Sequence, residues 1–167
     1  MKTAIALALL VACAGSERET RSDQRYENRD QGYSVDVPDG WQQSIDRASA
    51  RFAPKAGGKH TIVVRSAPKP DQIDGKPTTD EAVIAATRRV LAAMPAANVE
   101  AAERVSGTTF RFTLTFQPAG TKTRYRRSQY LLIGSRHVFH VFCTVPADEQ
   151  LDEDVLAEMV KTFEEEV

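Results

Sequence analysis

The amino-acid sequence predicts an α+β fold, an antiparallel β-sheet with helices packed on it in an α/β/α-type sandwich. Three observations carry this. Residues 108–145 hold three stretches of strand character joined by short turns, which is an antiparallel meander. Residues 78–94 and a stretch ending at 165 carry apolar residues at helical spacing. The order is strands, helix, meander, helix, which groups strands together instead of alternating them singly with helices. A chain of 167 residues with 41% hydrophobic content suits one domain with an ordinary core.

The first residues read as an export signal. Lys2 is basic and residues 4–12 are wholly apolar, a length that fits a signal peptide and falls short of the roughly 18–20 residues needed to span a bilayer. The run ends Leu10, Val11, Ala12, Cys13, which resembles a bacterial lipobox. The resemblance implies that residues 1–12 are removed. The Cys13 sulfur would carry a diacylglyceryl group, with the new amine acylated as well. Each buried methylene of such a chain contributes about 0.8 kcal/mol, so two or more chains anchor the protein durably in a membrane. The alternative is a secreted protein cut after Ala12 with Cys13 as a plain thiol. Ala14 follows Cys13 where an Asp would imply inner-membrane retention. The resemblance thus points to the outer membrane, facing the periplasm, with the inner membrane or the cell surface as alternatives.

Residues 13–31 contain one aromatic and almost nothing apolar beyond Cys13, and read as a flexible tether between lipid and domain. The domain is expected over 32–167. Residues 33–37 alternate as a strand, and Pro38, Asp39 and Gly40 supply a turn before Trp41, the only Trp of the chain. Residues 50–53 and 61–65 read as two further strands with a loop at 54–58. Residues 67–77 are Pro-rich and read as irregular. Thr78 and Glu81 are spaced as a capping box for a helix with Val83, Thr87, Val90, Leu91 and Met94 on one face, stopped by Pro95. Residues 99–105 form a weak strand. Residues 108–116 then alternate, with Phe110, Phe112, Leu114 and Phe116 on one face. A hairpin loop at 118–120 leads to strands at 123–133 and 137–145. The closing helix starts at about Asp148 or Asp152 and runs to Glu165, with Leu151, Val155, Met159, Val160 and Phe163 as its apolar stripe.

Residues 32–41 (GYSVDVPDGW) resemble the opening of PsbP/Mog1/DcrB-like domains, in which a Tyr-containing strand runs into a Pro-x-Gly-Trp turn. The mid-chain helix, the meander over 110–143 and the closing helix extend the resemblance to about residues 32–165. It implies that fold and a binding or assembly role beside a membrane. It carries no catalytic residues over.

Function classes narrow on composition and spacing. With 22 basic and 23 acidic residues and a formal net charge of -1, the chain lacks the basic excess of a nucleic-acid binder. His137 and His140 lie an odd offset apart on a strand, so they face opposite ways and do not share an ion. Cys143 lies six residues from His137, about 20 Å along a strand, and His60 is remote in sequence. No metal site or cofactor is expected. Cys143 sits in an apolar run and reads as a core thiol with a raised pKa, a redox role or intermolecular pairing being the alternative. Asp36 and Asp39 flank Pro38 as turn chemistry. No nucleophile elbow, zinc-protease helix or phosphate-cradling Gly loop occurs.

Two surfaces are candidates for binding. Lys122, Arg124, Arg126 and Arg127 form one basic cluster, with Lys122, Arg124 and Arg126 on one strand face and Arg111 as a neighbour. Such a face suits an anionic partner, or is a solvated strand face that discourages edge pairing. Trp41, Phe110, Phe112 and Phe116 either line an apolar pocket or fill the core. The expected function is a non-enzymatic, lipid-anchored cell-envelope module that binds or assembles an envelope protein. The alternatives are a carrier of a small apolar ligand, or a hydrolase or redox enzyme built on His137, His140 or Cys143.

Overall fold

A computed structural model describes residues 24–46, 49–58, 60–100 and 102–166. Cys13 and the export signal expected over residues 1–12 lie outside the described residues. The centre of the domain is an eight-stranded, wholly antiparallel sheet. Its members are β3 (Trp41–Asp46), β4 (Ser49–Pro54), β5 (Ile62–Pro68), β8 (Asn98–Val99), β9 (Glu103–Ser106), β10 (Thr109–Phe116), β11 (Tyr125–Ile133) and β12 (His137–Pro146). They run β3-β4-β5-β12-β11-β10-β8, with β9 also on β10. The α+β class expected from the sequence is therefore observed, with two helices, α1 (Asp80–Ala92) and α2 (Glu153–Lys161).

Side chains alternate across a strand, so the sheet has two faces to cover. On the first face Phe52, Ile62, Val64, Phe139, Val141, Cys143 and Val145 pack with Leu156 and Met159 of α2. A second sheet closes this face, in the order β1 (Arg25–Asn28), β2 (Tyr33–Asp36), β13 (Glu164–Glu165). On the opposite face Phe110, Phe112, Leu114, Phe116, Leu131, Ile133 and Val138 pack beneath Val83 and Leu91 of α1. Covering on both sides explains why Ser128, Gln129, Tyr130 and Leu131 of the central strand β11 are all buried.

Several expectations shift. The tether expected over 13–31 ends earlier, because Arg25–Asn28 pairs with Tyr33–Asp36 as a strand. Its one aromatic, Tyr26, is buried edge-on against Phe52 at 5.5 Å. One large apolar side chain and a waiting sheet edge outweigh the polar composition around it. An additional strand, β3, begins at Trp41 itself, and residues 72–77, expected to be irregular, contain a two-stranded hairpin of β6 (Gln72–Ile73) and β7 (Lys76–Pro77). The strand expected over 99–105 divides into β8 and β9, both pairing with β10.

The N-cap of α1 is Thr79, not Thr78. The Thr79 hydroxyl accepts from the Ala82 N–H at 3.2 Å, while Thr78 donates its hydroxyl to the Pro70 carbonyl and so ties the preceding loop down. The closing helix ends at Lys161, not Glu165. Thr162 donates its hydroxyl to the Met159 carbonyl and accepts the Asp36 N–H, turning the chain toward β2. Phe163 then stacks on Tyr33 at 5.1 Å, and Glu164 and Glu165 pair with Ser34 and Tyr33. The free edge of β2 offers ladder hydrogen bonds that a further helical turn would forgo.

That last strand aims the Glu165 carboxylate at the β11–β12 turn. It accepts the backbone N–H groups of Ser135 (2.6 Å), Arg136 (2.9 Å) and His137 (2.9 Å), and the Ser135 hydroxyl at 2.8 Å. Burial works to raise its pKa, but these donors outweigh it and bring the carboxyl down to about 2. A Cβ on Gly134 would sit 2.5 Å from a Glu165 oxygen, so the carboxylate can approach only because position 134 is glycine.

Candidate functional site

Strand register brings together residues that are far apart in sequence. Arg65 of β5 lies opposite His140 of β12, Gln129 of β11 opposite Phe142 of β12, and Arg127 of β11 opposite Thr144 of β12. Parity puts them all on the α1 face of the sheet. There α1 stands over a cleft of about 560 Å³. The floor carries Arg65, Arg127, Gln129, Val138, His140 and Phe142, the roof is the inner face of α1, and Pro68, Pro70 and Ile73 close one end. The volume falls within the roughly 300–1,000 Å³ of small-molecule sites.

The polar end of the cleft is cationic. The Arg127 guanidinium lies 4.4 Å from the Phe142 ring centre and 5.2 Å from that of Phe116, and its Nε donates to the Thr144 hydroxyl at 2.8 Å. The Arg65 guanidinium approaches the same Phe142 ring at 5.5 Å. Neither arginine forms an ion pair among the described residues. Burial first, and then the charge of Arg65, pull the Arg127 guanidinium down to about 10, so it stays charged at neutral pH. Two like charges near one ring repel by on the order of 1–3 kcal/mol at an effective dielectric of about 20. The aromatic faces of Phe142 and Phe116 offset part of that repulsion.

Between these charges His140 is neutral. Burial, followed by the charge of Arg65, lowers its pKa to about 4. Gln129, itself buried, sets its nitrogen 3.0 Å from the His140 Nδ1. With the amide donating to Nδ1, the neutral ring carries its proton on Nε2 and is a further donor. The cleft lining includes no carboxylate or thiol, and its one hydroxyl, on Thr87, has no hydrogen-bonded base among the described residues. The polar groups of the lining are thus two guanidiniums, an amide, a neutral imidazole and a hydroxyl, all able to donate hydrogen bonds.

The residues expected from sequence fare unequally. Phe110, Phe112 and Phe116 do not line the cleft, because they are buried in the core beside it. Trp41 is also buried, and contributes to a separate 400 Å³ cleft with Asp36, Asp39, Asp154 and Glu158. The basic cluster is not one face. Lys122 and Arg124 precede β11, Arg124 donating to the Thr115 hydroxyl, and Arg126 donates to the Glu149 carbonyl on the α2 side. Arg127 has the opposite parity and enters the cleft. Arg111 is paired with Glu103 at 2.7 Å. His137 faces Glu165, while His140 faces the cleft, as their odd offset requires. His60 lies 3.8 Å from Glu149. Asp36 pairs with Arg25 at 2.8 Å. Cys143 is fully buried, and desolvation raises its thiol to about 11. No group of three His, Cys, Asp or Glu side chains suited to a metal occurs among the described residues.

Nothing in the sequence marks Arg65 or Gln129 as a site residue. Each sits in a strand with nothing local to mark it, and only the β5-β12-β11 order makes them neighbours.

No protein-family model and no curated protein sequence matches the chain. Among solved structures, a protein from Bacteroides thetaiotaomicron is similar over 81% of this chain, with 16% identity and a TM-score of 0.55. The chain spans 46% of the length of that protein. A Pseudomonas aeruginosa protein of unknown function matches 74% of this chain and 83% of its own, with 15% identity and a TM-score of 0.46. The first likeness speaks for the fold and for nothing further. No helix among the described residues is long and apolar enough to cross a membrane.

Proposed function

We propose that this chain is a lipid-anchored cell-envelope protein with a PsbP/Mog1/DcrB-like domain, and that the domain is a non-enzymatic binding module whose ligand enters the cleft beneath α1. The observation that carries the binding role is the cleft itself: about 560 Å³, mostly apolar walls, and a few converging polar side chains with no nucleophile and base set together. The lipobox-like run ending in Cys13 supports the envelope address. A tether there raises the effective concentration of the domain near its membrane. Of the two binding roles open to such a module, the cleft favours a small-ligand carrier over a protein-assembly factor.

The cleft is tested with the full chain and a neutral apolar fluorophore, N-phenyl-1-naphthylamine. Saturable fluorescence enhancement is expected, with loss of it in Ala86→Trp, which would fill the space under α1. Enhancement that survives the filling would place the probe elsewhere, and no enhancement at all would remove the carrier reading. The anchor is tested separately by the mass of the mature protein from membranes. A lipid-sized increment that disappears in Cys13→Ser is expected, and an unmodified, soluble wild type would refute it.

A further inference from the structure

We infer that the cleft beneath α1 takes an anionic amphiphile, with an oxyanion head held by Arg65 and Arg127 and an apolar chain lying along α1. This rests on the cleft being a binding site and adds the charge and shape of what it binds.

The two ends of the cleft differ in kind. At the sheet end, two guanidiniums share the Phe142 ring, and no carboxylate among the described residues answers either charge. Arg127 is held in place, its Nε spent on the Thr144 hydroxyl, while its Nη groups bond to no described residue. A guanidinium fixed at one nitrogen and open at the others is preorganised for a carboxylate or phosphate, which accepts two parallel hydrogen bonds. The neutral His140 fits the same ligand, since its ring adds a donor without adding a third charge. At the helix end the lining is apolar, with Val83, Leu91, Met94, Ile73 and Val138. Val90, on the rim, is 70% exposed, so the apolar wall reaches the surface instead of ending in a sealed core.

Each simpler ligand leaves one end unsatisfied. A bare anion uses the arginines and leaves the apolar walls wet. A neutral apolar molecule fills the walls and leaves two like charges uncompensated. An organic cation is repelled. A molecule with an oxyanion at one end and an apolar chain at the other satisfies both.

Calorimetry on the full chain separates these cases, using octanoate, octyl phosphate, octan-1-ol, octylammonium, acetate and inorganic phosphate below any micelle concentration. Octanoate or octyl phosphate is expected to bind at least about tenfold more tightly than octan-1-ol, as a charge-assisted hydrogen bond implies. The chainless anions should be at least as much weaker, and octylammonium should give no binding. Which of the two octyl anions binds more tightly identifies the head as carboxylate or phosphate. Arg65→Gln, at an exposed position that leaves the core untouched, should weaken the octyl anions by about tenfold to a hundredfold and leave octan-1-ol unchanged. Arg127→Gln should act in the same direction, with circular dichroism as the check on folding.

Equal affinity for octan-1-ol and octanoate, or an Arg65→Gln variant that binds anions as the wild type does, overturns the charge assignment and leaves the cleft standing. Inorganic phosphate that binds as well as octyl phosphate overturns the amphiphile and leaves a plain oxyanion site. If no octyl compound binds, the neutral one included, the binding-site reading falls too.

Discussion

Replacing Glu165 with glutamine should cost this domain a large share of its stability near neutral pH, and the cost should shrink in acid. The Glu165 carboxyl titrates at about 2 in the folded chain against an ordinary value of 4.5, because three backbone N–H groups and the Ser135 hydroxyl converge on it. At 1.36 kcal/mol per pKa unit, that difference corresponds to about 3 kcal/mol. The folded pKa is depressed, so the stabilisation is complete above the unfolded value and is lost as pH falls through the folded one. At pH 7 it is fully present, and at pH 3 about 1.5 kcal/mol should survive. Glutamine keeps the size but loses the charge, and it turns an amide NH₂ toward donors. Urea unfolding followed by the fluorescence of the buried Trp41 gives the free energies of both proteins at both pH values. The reasoning fails if Glu165→Gln costs under about 1 kcal/mol at pH 7, or if the gap between the proteins is the same at pH 3.

Three further predictions concern other parts of the domain. His140 should stay neutral well below pH 6, and an NMR titration of its ring should place the midpoint near 4; a midpoint near 6.5 would mean that the cleft is wetter than its geometry implies. Because the unfolded chain takes up that proton first, the His140 contribution should fall by about 2 kcal/mol between neutral pH and pH 5, and a His140→Gln variant should lack this part of the acid sensitivity. In a Cys13→Ser chain, Cys143 should resist a disulfide reagent at pH 8 until urea unfolds the protein, then titrate as one thiol; prompt native reaction would contradict its burial. A chain begun at Gly32 should be about 3–5 kcal/mol less stable than one begun at Gln24, having lost the buried Tyr26 ring and the β1–β2 ladder. Equal urea midpoints for the two would mean that β1 adds nothing to the fold.

Local periodicity and local chemistry were enough to read most of the elements. The Phe110, Phe112, Leu114, Phe116 alternation predicted β10 and its buried face, and the helical spacing from Val83 to Met94 predicted α1. Turn residues separated the strands of the meander. These features are legible because a side chain's direction repeats every two residues on a strand and about every 3.6 on a helix, whatever the rest of the chain does. The odd offset of His137 and His140 was enough to set them on opposite faces for the same reason.

Tertiary structure decided the rest. Tyr26 lies in a polar stretch that has no reason to be ordered until β2 offers an edge and Phe52 a ring to meet. The closing helix keeps an apolar stripe through Phe163, and it takes the Tyr33 and Phe139 rings together with the edge of β2 to turn that last residue out of the helix. Arg127 looks in sequence like one more member of a basic cluster. Its parity separates it from Arg126, but parity does not reveal that its face is roofed by α1. The cleft is the clearest case. Arg65, Gln129 and His140 belong to three strands spread over 76 positions, with no spacing or composition to connect them. Sheet order is set by which edges and faces the whole chain can bury together. That is a global minimum of exposed apolar surface and unpaired backbone, and no local window of sequence contains it.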